Sequence, residues 1–299
     1  MILLLGGSGY IGSAFCELFD NNAVPYRNVS RCEINYTDRD ILIALIRETK
    51  SNFLINAAGY TGKPNVDACE LHKAECLDGN AVLPGVIRDA CEFENLAWGH
   101  VSSGCIYTGT RSDGTGFTED DIPNFTFRTN NCSFYSGTKA LGEECLAGAE
   151  QNYIWRLRIP FNNIDNPRNY LTKVMCYQRL LNATNSLSQL NEFVWACWQS
   201  WERQIPFGIY NVTNPGHVTT KEVVSLIQQE LRPSQKFEFF SDEQEFMAKA
   251  AKTPRSNCVM NSAKIANAGI SLKPIHDAIV EALRTWNNQA PSQALSTKN

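Results

Sequence analysis

The chain opens on an unbroken apolar run, Met1-Ile2-Leu3-Leu4-Leu5, meets a cluster of glycines, and then takes up a helical period from Ser13 to Phe19. An apolar run, turn residues and then an amphipathic stretch predict a buried parallel strand feeding a helix. The unit recurs. Ala23 to Val29 reads as a second strand, Ile41 to Ile46 lies in a helix ending near Lys50, and Phe53-Leu54-Ile55-Asn56 is a third buried strand that enters small residues. Trp98 to Tyr107 predicts a further strand with its loop, Asn152 to Pro160 a late one, and Ile209 to Val212 a strand returning to the same sheet. Helices are expected from Ala140 to Leu146, from Leu187 to Trp201 and from Thr219 to Leu231, the last capped by Thr219 or Thr220. The tryptophans of the second are expected to pack between domains or subunits rather than stack on a ligand.

Strands alternating with helices predict an α/β fold, a doubly wound parallel Rossmann sheet with a smaller substrate-binding lobe. The expected division is a nucleotide domain over 1–160 to which 205–232 returns, a lobe over 161–204 and 233–286, and a disordered tail over 287–299.

Composition narrows the partners. The 299 residues, 43% hydrophobic and 19% charged, can bury a full core. A net charge of −4 without a lysine or arginine stripe argues against nucleic acid. Eleven cysteines, an odd number with no C-x-x-C spacing, read as mostly buried free thiols of a reducing cytoplasm, and four scattered histidines imply no metal site. The opening run is too short for a signal segment and no later one could span a bilayer, so the expectation is a cytoplasmic protein acting on a small molecule.

Two motifs carry chemistry. Gly6-Gly7-Ser8-Gly9-Tyr10-Ile11-Gly12 spaces glycines as G-x-x-G-x-x-G between strand and helix, which lets the backbone approach a pyrophosphate facing the helix N-terminus. Tyr135 and Lys139 stand four apart in Ser133-Phe134-Tyr135-Ser136-Gly137-Thr138-Lys139, on one helix face. A cation beside the phenol is expected to lower the Tyr135 pKa and fit it to exchange a proton at a carbonyl or hydroxyl. Together the motifs resemble the extended short-chain dehydrogenase/reductases.

That resemblance assigns further residues. The second strand ends in Ser30-Arg31 where an acid would bond a ribose hydroxyl; a hydroxyl and a guanidinium suit a 2′-phosphate, so NADPH is favoured over NADH. Ala57, Ala58, Gly59 and Tyr60 would lie along the cofactor, and Thr61, Gly62, Lys63 and Asn65 offer polar groups to a sugar or phosphate. Asn80 sits where these enzymes carry a helix-bending asparagine. Ser102 and Ser103 close the fourth strand, Ser103 being the hydroxyl expected to bond the reacting oxygen. The 4,6-dehydratases of the superfamily carry two acidic residues next; this chain has Gly104 and Cys105, which argues against dehydration.

A narrower resemblance rests on longer blocks. Asn56 to Asp67, Gly104-Cys105-Ile106-Tyr107, Gly116 to Phe125, Asn166-Pro167-Arg168-Asn169-Tyr170-Leu171-Thr172-Lys173, Tyr210 to Gly216 and Pro254-Arg255-Ser256-Asn257 are similar to the UDP-4-keto-6-deoxy-glucose 3,5-epimerase/4-reductases of UDP-rhamnose synthesis. The resemblance implies a nucleotide-sugar substrate, Cys105 and Lys173 as the epimerising pair, and sugar or diphosphate contacts from Tyr107, Asn124, Phe125, Arg168, Asn169, Arg255 and Asn257. A homodimer through helices is common in the superfamily. Two segments depart from the pattern, Phe127 to Cys132, which reads as an insertion, and Arg158 to Asn163. A monofunctional 4-reductase or 4-epimerase, in which Cys105 and Lys173 only pack or bind, and a non-catalytic cofactor-binding regulator stay open as alternatives.

Overall fold

The computed structural model describes residues 1–63 and 65–287. Its centre is a six-stranded parallel sheet of β1 (Ile2–Leu5), β2 (Tyr26–Val29), β3 (Phe53–Asn56), β4 (Trp98–Ser103), β5 (Asn152–Leu157) and β6 (Gly208–Asn211). The spatial order is β6-β5-β4-β3-β1-β2, so the order reverses beside β1, where a doubly wound sheet opens a ligand crevice at its carboxyl edge. Register aligns that edge. Leu5 pairs with Val29 and Asn56, and Ser103 pairs with Leu157, which brings Gly6, Ser30, Ala57, Gly104 and Arg158 out of the sheet on one side.

Helices α1 (Tyr10–Asn21) and α2 (Arg39–Thr49) follow the first two strands. Next come α3 (Lys73–Leu77) and α4 (Leu83–Phe93), joined through a π-helical turn over Asp78–Val82 that contains Asn80. Helix α5 (Phe134–Cys145) carries the Tyr-x-x-x-Lys pair. The lobe contributes α6 (Tyr170–Cys176), and further on lie α7 (Leu190–Glu202), α8 (Thr220–Glu230), α9 (Glu243–Lys249), α10 (Ala263–Asn267) and α11 (Ile275–Arg284). No helix is long and apolar enough to cross a membrane among the described residues.

Two faces of the sheet carry two cores. Leu42, Leu45, Ile87 and Cys91 of α2 and α4 cover one. Phe15 and Phe19 of α1 cover the other together with Phe193, Val194 and Cys197 of α7. Helix α7, within the span expected to form the lobe, packs on the sheet. Its tryptophans seal that face: Trp201 stacks on Phe53 with ring centroids 4.4 Å apart, and Trp198 meets Phe19 edge-on at 6.5 Å. They pack against α1 and the sheet of this domain, where the expectation is packing between domains or subunits.

Helix α8 moves the opposite way. Val223, Val224 and Ile227 of α8, in the span expected to return to the nucleotide domain, share a core with Leu171, Val174, Ile279 and Leu283. Asn287, placed in the expected tail, bridges to Ile164; 288–299 lie outside the described residues. The described cysteines are all free thiols, six of them buried.

Candidate active site

The first wall of the crevice is the glycine turn. Gly6 has φ +83°, and a Cβ there would stand 2.5 Å from the Ala58 nitrogen; a Cβ on Gly12 would stand 2.1 Å from the Gly6 oxygen. Only glycine lets β1, β3 and α1 close up this far. The N-cap of α1 is Gly9, which offers no side-chain cap, so the first N–H groups of the helix face the crevice beside exposed Ser8. This suits a dinucleotide phosphate. Asn28 of β2, which the sequence gave no reason to single out, accepts a hydrogen bond from the Gly7 N–H at 3.2 Å and pins the turn. Ile11 packs inward beside the sheet, and Tyr10 turns its hydroxyl to Asn162 Oδ1 at 3.2 Å. Ser30 is half-buried, while Arg31 is exposed beside the Tyr36 phenol.

The second wall is the π-helical turn. Asn80 is buried; its Oδ1 accepts from the Tyr60 N–H at 2.9 Å, and its Nδ2 donates to the Tyr60 carbonyl at 2.8 Å and to Thr138 Oγ1 at 3.2 Å. One amide therefore fixes the loop after Ala57-Ala58-Gly59 and ties it to α5. A Cβ on Gly142 would lie 2.1 Å from the Asn80 carbonyl oxygen, so α5 rests directly on the turn. On the β3 side, Asn56 Oδ1 accepts from the Ala58 N–H at 3.0 Å while its Nδ2 meets His100 Nδ1 at 3.0 Å. Burial, and then the charge of Lys139, hold His100 far below the usual imidazole range, so it is neutral.

Helix α5 supplies the proton chemistry. Ser133 caps it, and Glu70 accepts from the Phe134 N–H at 2.8 Å, a carboxylate at a helix N-terminus. Tyr135 and Lys139 share a face, as the spacing predicts, but the expected lowering of the phenol pKa is overturned. Burial pushes Tyr135 well above the ordinary tyrosine value, the neighbouring thiols add to it, and the Ser103 hydroxyl only partly opposes it. The Lys139 ammonium donates to the Val101 carbonyl at 3.1 Å, and burial lowers its own pKa. Desolvation sets the direction here. Tyr135 is thus a neutral phenol, the form that donates a proton.

Beside it, Ser103 caps a short turn over Gly104–Ile106, its hydroxyl accepting from the Cys105 N–H at 3.2 Å. Cys105 lies in one apolar cluster with Ile106, Met260 and Tyr135. Burial raises its pKa, opposed in order by Ser103, Arg158, Ser136 and Lys139. A Cβ on Gly104 would fall 2.1 Å from Met260 Sδ, so the place of a dehydratase acid is filled by sulfur.

The lobe brings Lys173 on α6. Burial and then the charge of Arg168 lower its pKa. Arg168 donates to Thr61 Oγ1 at 3.0 Å and to the Gly62 carbonyl at 2.8 Å, joining the lobe to the loop after β3, where Lys63 is exposed.

Several residues expected to touch cofactor or sugar already have partners within the chain. Ser102 is buried and donates to Glu143 at 2.5 Å; Glu143 in turn receives Arg156 in an ion pair of 2.7 Å with the side chains 8% and 3% exposed. This buried pair, also unannounced by sequence, bolts α5 to the sheet. Tyr107 is fully buried, its pKa pushed up to about 12 by burial, its ring stacked on Phe117 at 4.5 Å and its hydroxyl donating to the Asp121 carbonyl. Phe125 is buried too, and Asn124 spends its amide on both backbone groups of Thr108. Asn169 caps α6 and donates to Asn162 and Ile164; Asn65 caps the short helix Val66–Glu70. Asn257 accepts from Asn185 Nδ2 at 3.1 Å, and Arg255 forms a bidentate pair with Asp67 at 2.6 and 2.8 Å. These groups shape the crevice walls. The insertion at Phe127 lays its ring over α5, where a Cβ on Gly137 would come within 2.3 Å of it.

Residues 1–288 match the family described as the RmlD substrate binding domain. A bifunctional dTDP-4-dehydrorhamnose 3,5-epimerase/dTDP-4-dehydrorhamnose reductase of Arabidopsis thaliana is 33% identical, covering 98% of this chain and 95% of its own. The chain spans about two fifths of the length of the trifunctional plant relatives it also matches, 34% identical over 93% of this chain and 41% of theirs in one case, a UDP-glucose 4,6-dehydratase/UDP-4-keto-6-deoxy-D-glucose 3,5-epimerase/UDP-4-keto-L-rhamnose-reductase of the same plant. The crystal structure of the L780 UDP-rhamnose synthase of Acanthamoeba polyphaga mimivirus is similar with a TM-score of 0.87 at 26% identity, over 95% of this chain and 98% of that one. A dTDP-4-dehydrorhamnose reductase of Bacillus anthracis in complex with NADP shares the fold, with a TM-score of 0.77 at 16% identity over 95% of this chain and 97% of that one. The chain therefore belongs to the RmlD-type epimerase/reductases of the extended short-chain dehydrogenase/reductase superfamily.

Proposed function

We propose that the protein inverts C3 and C5 of a nucleotide-linked 4-keto-6-deoxyhexose and then reduces C4, yielding the nucleotide-linked L-rhamnose. The observation that carries this reading is the setting of Cys105, a protonated thiol in the same apolar cluster as the neutral phenol of Tyr135, where a dehydratase would carry an acid.

The ketone at C4 acidifies the protons on C3 and C5. Lys173, whose proton is loosened by burial, is the base that removes one; Ser103 and Tyr135 hydrogen-bond the oxygen as it becomes an enolate; Cys105 delivers a proton to the opposite face. Two groups of opposite bias are needed, because one cannot serve both faces. For the second reaction NADPH, when bound at the glycine turn, supplies a hydride. Tyr135 then gives its proton to the C4 oxygen, and Lys139 holds positive charge close behind it, anchored on Val101. Ser30 and Arg31, at the edge of β2 beside the glycine turn, favour the 2′-phosphate of NADPH over NADH. Arg168 and Lys63 stand where the anionic part of a nucleotide sugar would enter from the lobe.

The deciding experiment is incubation with UDP- and dTDP-4-keto-6-deoxy-glucose, with and without NADPH, and assignment of the product by NMR. The expected product has the L-rhamno configuration, and the preferred nucleotide is read from the same assay. A product reduced at C4 but unchanged at C3 and C5 would make the protein a plain 4-reductase.

A further inference from the structure

Arg158 takes no part in the scheme above, yet it is among the costliest side chains to place where it is. It leaves β5 at the carboxyl edge, next in register to Gly104, and its Cδ would lie 3.6 Å from a Cβ on that glycine. The residue is 5% exposed. Among the described residues its hydrogen-bond partners are neutral, the Asn185 amide oxygen at 2.6 Å and the Ser256 carbonyl, and its Nε is buried with none. The other buried arginine of the same strand, Arg156, has the carboxylate of Glu143. The next residue, Ile159, is held at φ +39°, a left-handed conformation that β-branched residues avoid. A guanidinium kept in the interior without a carboxylate costs stability, and such a cost is met at sites that use the charge.

We infer that Arg158 is a positioning residue of the epimerising half: its guanidinium stands ready for the negative charge that the sulfur of Cys105 acquires on giving its proton to the sugar. The inference rests on the role proposed for Cys105. In each inversion the Lys173 amine takes a proton from carbon and becomes ammonium, the C–H electron pair becomes the enolate, and the Cys105 S–H proton passes to the opposite face, leaving a thiolate. Ammonium and thiolate are reset by exchange with solvent. The thiolate forms in an apolar cluster, where an uncompensated anion would be expensive. Facing that sulfur are Tyr135, Lys139 and Ser136 from α5, Cys132 from the loop before it, Ser103 from β4 and Arg158 from β5, with Cys258 in the same cluster. Of the two cations, Lys139 already donates to the Val101 carbonyl. Arg158 also acts on Cys258, which is buried in the same cluster.

The test is the pH dependence of solvent deuterium uptake at C3 and C5 at saturating sugar, for wild type, Arg158→Gln, Arg158→Met, Arg158→Lys and Cys105→Ala, with circular dichroism to confirm folding. A cation beside a thiol favours the thiolate, so removing it makes Cys105 a weaker acid. Arg158→Gln is expected to slow uptake about tenfold at neutral pH and to move the alkaline limb, where Cys105 loses its proton, upward by about one pH unit. Arg158→Lys should restore most of both. Should the methionine variant not fold, the glutamine variant, which can still bond Asn185, gives the same readout. An alkaline limb that stays in place in Arg158→Gln, with or without a change in KM, overturns the inference, since a clamp or a substrate contact would leave it there. Loss of uptake in Cys105→Ala beside a wild-type profile in Arg158→Gln overturns this inference alone; no uptake in wild type overturns the epimerase reading with it.

Discussion

The two halves of the crevice are built differently. Tyr135 and Lys139 stand on one face of a twelve-residue helix, capped by Ser133, resting on the π-helical turn and bolted to the sheet through Glu143 and Arg156. Cys105, Lys173 and Arg158 come from a three-residue turn, a seven-residue lobe helix and the last step out of a strand. The reductive half draws its geometry from regular structure, where spacing alone sets the side chains side by side. The half proposed for epimerisation draws on both lobe and sheet, and burial sets the bias of its groups, raising the thiol and lowering the lysine.

The sharpest way to break this comparison is to disable one half at a time. Tyr135→Phe is expected to cost reduction about a hundredfold to ten-thousandfold while deuterium still enters C3 and C5. Cys105→Ala or Lys173→Met should stop that exchange yet leave reduction of an already inverted 4-keto sugar measurable by NADPH oxidation. Variants that fail in both assays alike would show that the halves are one unit.

A second break targets the support of the reductive half. Glu143→Gln leaves the Arg156 guanidinium buried without its anion and should lower stability by about 3–5 kcal/mol, seen in chemical denaturation. A change below about 1 kcal/mol would mean the pair is not what holds α5. Gly142→Ala is smaller. Its methyl meets the Asn80 carbonyl, and the overpacking should cost about 1–3 kcal/mol, with weaker cofactor binding because the Tyr60 loop shifts with Asn80. Normal affinity at reduced stability would uncouple that loop from the site.

The pH profile of exchange sharpens the other half. Lys173 must be neutral to act as base, so its limb should lie below the ordinary lysine value; Cys105 must be protonated, so its limb should lie above the ordinary thiol value. The rate then rises through the first and falls through the second. An acid limb at or above the ordinary lysine value, or an alkaline limb at or below the ordinary thiol value, would sink these assignments. The smallest expected effect is at the exposed rim, where Arg31→Ala should weaken NADPH about fivefold more than NADH, measured by fluorescence titration.

Much of the fold was open to reading before any coordinates, because apolar runs and glycine spacing act locally. The β1 strand, the glycine turn, the tyrosine–lysine face and the capping threonine of α8 all follow from near neighbours in the chain. Family-like blocks extended this to Cys105 and Lys173. What they could not show was which polar residues turn inward. Tyr107, Asn124 and Asn169 lie in the same blocks and look equally available, yet their partners are Asp121, Thr108 and Asn162, supplied from other segments.

The sequence by itself therefore determined the parallel α/β plan, the dinucleotide turn and the tyrosine–lysine face, since each rests on periodicity or on spacing within one element. Tertiary structure alone decided that α7 covers the sheet and α8 the lobe, that Tyr135 is a neutral acid rather than a phenolate, and that Arg158 is buried with neutral partners beside Cys105. Those outcomes depend on how much water each group loses and which distant groups replace it, and no local pattern encodes either.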